Sequence, residues 1–172
     1  MKNNFKRYIR SIPDFPRKGI LFRDITTLLK NPKIFKKVMD IFAQRYRGKK
    51  IDSVVAVEAR GFIFGSVLAY KLNAGFVPVR KKGKLPAPTV EVTYSLEYGE
   101  DTLALHKDAL KKGKRVLIVD DLLATGGTIK AVTELVEKLG AKIVECLFLI
   151  ELTSLNGRKQ LEKYSVFSLI KY

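Results

Sequence analysis

The 172-residue chain has one cysteine, Cys146, which rules out a disulfide framework within it. It has no apolar run approaching the ~20 residues of a membrane span; the longest, Cys146 to Ile150 with its neighbours, is the size of a strand. The amino terminus is basic but lacks the apolar stretch of about 7–15 residues that marks a secretory leader, so the cytoplasm is the expected location. Repeats, low-complexity tracts and Ser/Gly linkers are also missing, and a single domain over 1–172 is expected. Acidic side chains are scarce, 17 against 33 lysines and arginines, for a formal net charge of +16.

With 47% hydrophobic and 29% charged residues, the composition is that of an ordinary globular protein. A chain of this length buries enough surface to hold a core without a disulfide or metal staple. The positive excess suits a nucleic acid, an anionic membrane surface or a small substrate with several phosphates. It equally suits a lysine-rich solvated surface, because lysines occur throughout the chain. The clusters Arg45–Lys50, Arg80–Lys84 and Lys111–Arg115 are short and interrupted by glycine or apolar residues, so charge alone identifies no partner.

Hydrophobic spacing sets out the elements. Phe5, Tyr8, Ile9 and Ile12 share one face of a short helix over about 3–12. Pro13, Pro16 and Gly19 break regular structure, and Gly19–Asp24 reads as irregular or extended. Asn31-Pro32 opens a helix carrying Ile34, Phe35, Val38, Ile41, Phe42 and Tyr46 at helical spacing. Strands then alternate with helices: strands at Ile51–Val57, Ala74–Val79, Arg115–Val119, Ile143–Ile150 and Val166–Ile170, helices at Gly61–Leu72 and Thr128–Leu139, and a short helix over Asn156–Lys163. Residues 80–92, with two Gly/Pro breaks and no core pattern, read as a mobile loop, and Thr93–Tyr98 and Thr102–His106 flank Gly99-Glu100 as a hairpin. The alternation implies an α/β fold, a mostly parallel sheet flanked by helices, whose ligands bind beyond the carboxyl ends of the strands.

The most informative stretch is Val116–Thr128. A buried strand delivers Asp120 and Asp121 to its end, and Leu122-Leu123-Ala124-Thr125-Gly126-Gly127-Thr128 leads into a helix. Gly126 and Gly127 let a ligand approach the backbone, Thr125 and Thr128 add hydroxyls, and the amides of the helix start suit a phosphate dianion. Carboxylates do not bind phosphate, but they accept hydrogen bonds from sugar hydroxyls. A phosphate beside a ribose therefore satisfies both halves. A strand end followed by a glycine turn would account for Asp-Asp or Gly-Gly alone, but not for the whole ordered run. The stretch is neither a Walker loop, since no Gly-Lys-Ser/Thr follows, nor a dinucleotide fingerprint, since Gly-x-Gly-x-x-Gly is absent.

Val119–Thr128 resembles the phosphoribosyl-diphosphate signature of the type I phosphoribosyltransferases. Pro13-Asp14-Phe15-Pro16, Gly19–Thr26, Glu58-Ala59-Arg60-Gly61-Phe62, Arg80–Pro86, Tyr94–Gly99 and Asp120–Thr128 resemble the blocks of the adenine phosphoribosyltransferase family, in its order, from about residue 5 to Tyr172. The resemblance implies that family's fold, with a small base-binding hood over about 1–30 and a flexible β-hairpin loop. It also implies its reaction, adenine and phosphoribosyl diphosphate giving AMP and diphosphate in purine salvage. Mg²⁺ would be held mainly by the substrate, with no metal ligand supplied directly by the chain. A homodimer is implied, with Leu21–Thr27 and the region near Arg80 close to its interface; no nucleic-acid or membrane partner is.

Residue by residue, the resemblance assigns the 5′-phosphate to Ala124, Thr125, Gly126, Gly127 and Thr128. Asp120 and Asp121 face the ribose hydroxyls and stabilise an oxocarbenium-like sugar as diphosphate departs. Arg60 matches a diphosphate clamp preceded by a cis peptide, here Ala59-Arg60. Arg80 and Lys84 are further phosphate contacts or simply solvated loop cations. Glu97 matches a general acid directed at adenine N7, with an ordinary exposed carboxylate as the plain alternative, and Tyr98 would position the loop that closes over the site and excludes water. Leu21 and Arg23 match positions that read the base, although Arg23 would also suit a dimer interface, and Leu152 matches an apolar wall of the base pocket. His106 and Cys146 are expected to be structural.

Two other readings stay open at this level. A transferase for another purine, such as xanthine, would share everything but the hood. A regulator that senses phosphoribosyl diphosphate and binds nucleic acid would use the basic surface, but 172 residues leave no room for a separate DNA-binding module.

Overall fold

A computed structural model describes residues 4–96 and 99–172. They form two compact units, Met1–Arg45 and Tyr46–Tyr172.

In the first unit, the segment expected as a helix is one 3-10 turn, Phe5–Tyr8, followed by strand β1 (Arg10–Ile12). β1 pairs antiparallel with β2 (Phe22–Asp24), and Arg10 closes the ladder with an Nε bond to Asp24 at 2.9 Å. Non-local pairing thus overrides helical spacing that spans barely two turns, too short to be stable by itself. The connecting loop holds a cis Phe15-Pro16 bond, and the Phe15 and Phe22 rings meet edge to face at 5.1 Å. A single turn, α1 (Thr26–Leu29), precedes α2 (Pro32–Arg45), whose start is capped by Asn31 Oδ1 accepting the Ile34 amide at 3.2 Å.

The second unit is built on a seven-stranded sheet. Its strands are β3 (Ser53–Val57), β4 (Gly75–Lys81), β5 (Thr89–Leu96), β6 (Gly99–His106), β7 (Arg115–Leu123), β8 (Lys142–Glu151) and β9 (Val166–Lys171). They lie in the order β5-β6-β4-β3-β7-β8-β9, with β4, β3, β7, β8 and β9 parallel. β3 crosses to β4 through α3 (Arg60–Leu72), and β7 crosses the other way to β8 through α4 (Gly127–Lys138). Alternate residues of β3 therefore serve different helices: a Cβ on Gly65 of α3 would fall 2.5 Å from the Ala56 side chain, while Val55 and Val57 join the core that includes Ile129, Val132 and Val136 of α4.

Part of the segment read as a loop is strand. Thr89–Val92 belongs to β5 and pairs with β6 in register from Thr89↔His106 to Leu96↔Gly99. Its period is two, with Val90, Val92 and Tyr94 turned to the core, and the Gly and Pro residues upstream obscure that short pattern. Asn156–Lys163 holds a 3-10 turn, Gly157–Leu161, rather than an α-helix, after a shorter 3-10 turn at Thr153–Leu155.

Candidate active site

Because the crossovers from β3 and β7 diverge, a crevice opens between the carboxyl ends of these neighbouring strands, flanked by the starts of α3 and α4. Two adjoining cavities fill it, sharing Arg60, Asp120, Asp121 and Thr128. The larger, about 710 Å³, extends over Glu58, Ala59, Arg80, Lys81, Lys84, Tyr94 and Asp101. The smaller, about 200 Å³, follows Leu122–Gly126.

The acidic pair does not end its strand, as the sequence suggested. β3 stops pairing at Ala56↔Val119, whereas β7 remains paired with β8 as far as Leu123↔Glu151. Asp120 and Asp121 therefore stand where one edge of β7 becomes uncovered while the other is still held by the ladder. That placement gives the carboxylates a rigid support and an open side.

Arg60 begins α3, and its Nε lies 2.7 Å from Asp121 Oδ2. Asp120 Oδ1 accepts the Asp121 amide at 2.8 Å. The first turn of α3 approaches β7 this closely because residue 61 is glycine. A Cβ there would lie 2.9 Å from Asp120 Oδ1 and 3.0 Å from the Val119 carbonyl oxygen. Burial first, and the charge of Asp121 second, push Asp120 well above the usual carboxylate range. Asp121 is also raised by burial, while the Arg60 guanidinium acts in the opposite direction. The arrangement concentrates negative charge in a poorly solvated place, where a positive centre is strongly favoured.

The cis peptide of this loop is Glu58-Ala59 and not Ala59-Arg60. Ala59 already has helical backbone angles (φ −105°, ψ −37°), and its carbonyl accepts the Phe62 amide at 3.2 Å. The entry into α3 is therefore complete by Ala59, which leaves the irregular bond one position earlier.

Arg80 is bound on both sides. Its Nε and one terminal nitrogen donate to the Glu58 carboxylate at 3.0 and 2.8 Å, and the other donates to the Lys84 carbonyl at 2.8 Å. The Arg80 hydrogen bonds hold Glu58 below the usual carboxylate range. Lys84 lines the same cavity with an exposed side chain. Glu58, Gly61, Lys81 and Tyr94 stand in the blocks that carry the family resemblance but received no role from the sequence, and Asp101 was not singled out. Lys81 Nζ lies 2.7 Å from Asp101 Oδ2, across from β4 to β6, and the Tyr94 hydroxyl accepts from Thr128 Oγ1 at 3.4 Å. The signal that could have found Lys81 and Tyr94 is strand alternation carried on past Val79 and back to Thr89.

In the glycine loop, Gly126 has φ +90°, which favours glycine, and its carbonyl accepts the Lys130 amide at 2.9 Å to start α4. Thr125 is exposed, and Ala124, Gly127 and Thr128 are partly so. Both cavities belong to the second unit. Leu21, nearly half exposed, and Arg23, which donates to Ser11, belong to the first. Leu152 lies outside the lining of either cavity, with its amide donating to the Leu123 carbonyl at 2.9 Å. Glu97 and Tyr98 lie outside the described residues. His106 accepts the Ala87 amide at 3.4 Å, at the far end of the hairpin.

Residues 24–172 match the phosphoribosyl transferase domain family. An adenine phosphoribosyltransferase of Brachyspira hyodysenteriae is 61% identical over 167 residues, covering 97% of this chain and 98% of its own. The crystal structure of an adenine phosphoribosyltransferase from Thermoanaerobacter pseudethanolicus superposes with a TM-score of 0.96 at 55% identity, covering 100% of both chains. The Saccharomyces cerevisiae enzyme, crystallised with an imino-altritol bisphosphate and adenine, gives 0.92 at 44% identity over 96% of each chain.

Proposed function

Because the chain belongs to the adenine phosphoribosyltransferases of the type I phosphoribosyltransferase family, we propose that its two joined cavities are where AMP is made. It is a purine-salvage enzyme, transferring the 5-phosphoribosyl group of phosphoribosyl diphosphate to adenine with release of diphosphate. The observation that carries the assignment of the site is the meeting of three parts in one crevice: a half-enclosed carboxylate pair, a guanidinium at the head of α3, and a glycine loop opening α4.

In this reading Ala124–Thr128 hold the 5′-phosphate through backbone amides and threonine hydroxyls, in the smaller cavity. The ribose lies across Asp120 and Asp121, whose oxygens accept from its hydroxyls. As the bond from C1′ to diphosphate breaks, the sugar gains positive charge, and the buried pair stabilises that charge more than it does the neutral ground state. No covalent nucleophile is needed. Arg60 orients Asp121 and clamps the departing diphosphate, its guanidinium being a fork suited to phosphate oxygens. Lys81 and Lys84 add positive charge on the same wall. Glu97 acts as the acid toward adenine N7 and Tyr98 steadies the closed hairpin, roles supported by the family resemblance. Leu21, Arg23 and Leu152 read the base on the same support.

The family generally uses Mg²⁺ with phosphoribosyl diphosphate. The oxygen donors of Asp120 and Asp121 suit this hard cation, which takes substrate phosphates as ligands and keeps several waters. No group of three His, Cys, Asp or Glu side chains able to hold a metal occurs among the described residues. In line with the family resemblance, the ion would be held mainly by the phosphates of the substrate, and when bound it would neutralise charge on the leaving diphosphate. A homodimer acting in the cytoplasm completes the reading. The family resemblance puts Leu21–Thr27 and the region near Arg80 close to its interface, and light scattering would read twice the chain mass. No described helix is long and apolar enough to cross a membrane.

The test is to mix the protein with Mg²⁺, phosphoribosyl diphosphate and each of adenine, hypoxanthine, guanine and xanthine. AMP alone is expected. A nucleotide of another base would discard the roles of Leu21 and Arg23, and no nucleotide from any base would discard the site.

A further inference from the structure

We propose that Gly157, in the 3-10 turn after β8, is a positioning residue for the 5′-phosphate, acting through the backbone of the glycine loop. The proposal rests on the reading of Ala124–Thr128 as the phosphate cradle. It starts from a contact between two backbones with no side chain between them. A Cβ on Gly126 would lie 2.5 Å from the Gly157 carbonyl oxygen, against an ordinary contact of 3.4–4 Å. A Cβ on Gly157 would fall closer still to the Ala124 carbonyl oxygen, and 3.0 Å from Leu123 Cδ1. Both glycines are buried.

The two have different reasons to be glycine. Gly126 has a positive φ that disfavours side chains by itself. Gly157 lies outside the left-handed region, so its conformation makes no such demand. What excludes a side chain there is the Ala124 carbonyl. The turn is shaped to let the phosphate loop rest on it.

The support is itself anchored. Arg158 donates to Glu151 through Nε and a terminal nitrogen at 2.6 and 2.8 Å, to the Val166 carbonyl at 3.0 Å, and to Ser168 Oγ at 3.3 Å. Ser168 also donates to Glu151, and both are buried. One guanidinium therefore ties the turn to β8 and β9. The phosphate loop leaves the neighbouring strand β7, and the Leu152 amide bonds back to the Leu123 carbonyl at 2.9 Å. The loop and its support thus hang from adjacent strands of one sheet, and pressing them apart must move the loop.

A methyl group at residue 157 requires the two backbones to separate by about 1 Å, a misplacement that can weaken a positioned contact by about 10- to 100-fold. Phosphoribosyl diphosphate and AMP share the 5′-phosphate; adenine and diphosphate lack it. The expected signature of Gly157→Ala is therefore an increase of about tenfold or more in KM for phosphoribosyl diphosphate and in the inhibition constant of AMP. KM for adenine and inhibition by diphosphate should stay within about twofold. Arg158→Lys, which keeps the charge beside Glu151 but loses the fork, should show the same pattern at smaller size.

The full-length enzyme and both variants would be compared by these four constants, by calorimetric binding of ribose 5-phosphate and by thermal unfolding. Selective weakening of the three 5′-phosphate ligands supports the proposal. Equal weakening of adenine, or a lowered Tm with all four constants unchanged, would overturn it. If Gly157→Ala does not fold, Arg158→Lys decides by the same criteria. Failure of the wild type to bind ribose 5-phosphate would instead remove the cradle assignment on which the proposal stands.

Discussion

Replacing Arg60 by glutamine separates two things that one guanidinium does. It holds Asp121 at 2.7 Å, and in the proposed reaction it clamps the leaving diphosphate. The stability part can be sized from exposure. Exposed ion pairs contribute about 0–1 kcal/mol, and breaking a fully buried one costs about 3–5 kcal/mol. Here the Asp121 side chain is 7% exposed and that of Arg60 is 42% exposed. The loss at neutral pH should fall between those limits, at about 1–3 kcal/mol.

The pH dependence has a definite sign. Both aspartates are raised in the folded protein, Asp120 by burial and then Asp121, Asp121 by burial. The unfolded chain therefore releases these protons first as pH climbs past the ordinary aspartate value, about 3.9, and from there the pair lowers stability. Arg60 opposes both shifts, so its removal raises the pair further and deepens that loss. Urea midpoints of wild type and Arg60→Gln should lie close together near pH 3.5 and separate progressively towards pH 7.5. Midpoints equally separated at both ends, or farther apart in acid, would refute the electrostatic account. In the same preparation kcat for AMP formation should drop by about 10²–10³, the usual effect of losing one donor to developing charge.

Two further outcomes follow from groups away from the chemistry. Asp24 is held at about 2, first by the Thr26 amide, then by Arg10 and the Thr26 hydroxyl. Asp24→Ala should cost about 1–2 kcal/mol at pH 7, and because a depressed carboxyl stabilises above its unfolded value, the difference should vanish as pH falls from about 4 through 2; denaturation midpoints that do not converge would count against it. Burial, and then Glu145, push the Cys146 thiol up to about 12. A thiol reagent at pH 8 should leave the native protein unmodified and label one site in denaturant, whereas labelling of the native protein at the rate of a free thiol would contradict its burial.

The parts of the site that could be read in the sequence share one property: their residues are contiguous. Val116–Thr128 contains strand, carboxylates, glycine loop and helix start in one run, so its chemistry follows from order alone. The parts that were missed or misplaced depend on partners distant in the chain. A helix over about 3–12 gave way to β1 because β2, in register from Arg10↔Asp24 to Ile12↔Phe22, completes a ladder there. Thr89–Val92 became strand because β6 lies beside it. The carboxylates moved from the end of β7 to its interior because β8 continues where β3 stops.

The sequence by itself determined the class of fold, the phosphate loop and the acidic pair, because hydrophobic period and local turn chemistry act over a few residues. The tertiary structure alone decided that Arg60 meets Asp121, that Lys81 of β4 meets Asp101 of the neighbouring β6, and that Gly157 rests on Ala124. These are contacts between segments 20 to 61 residues apart. Their closeness is set by strand order and by glycines that admit no Cβ, and neither is written in the spacing of any one segment.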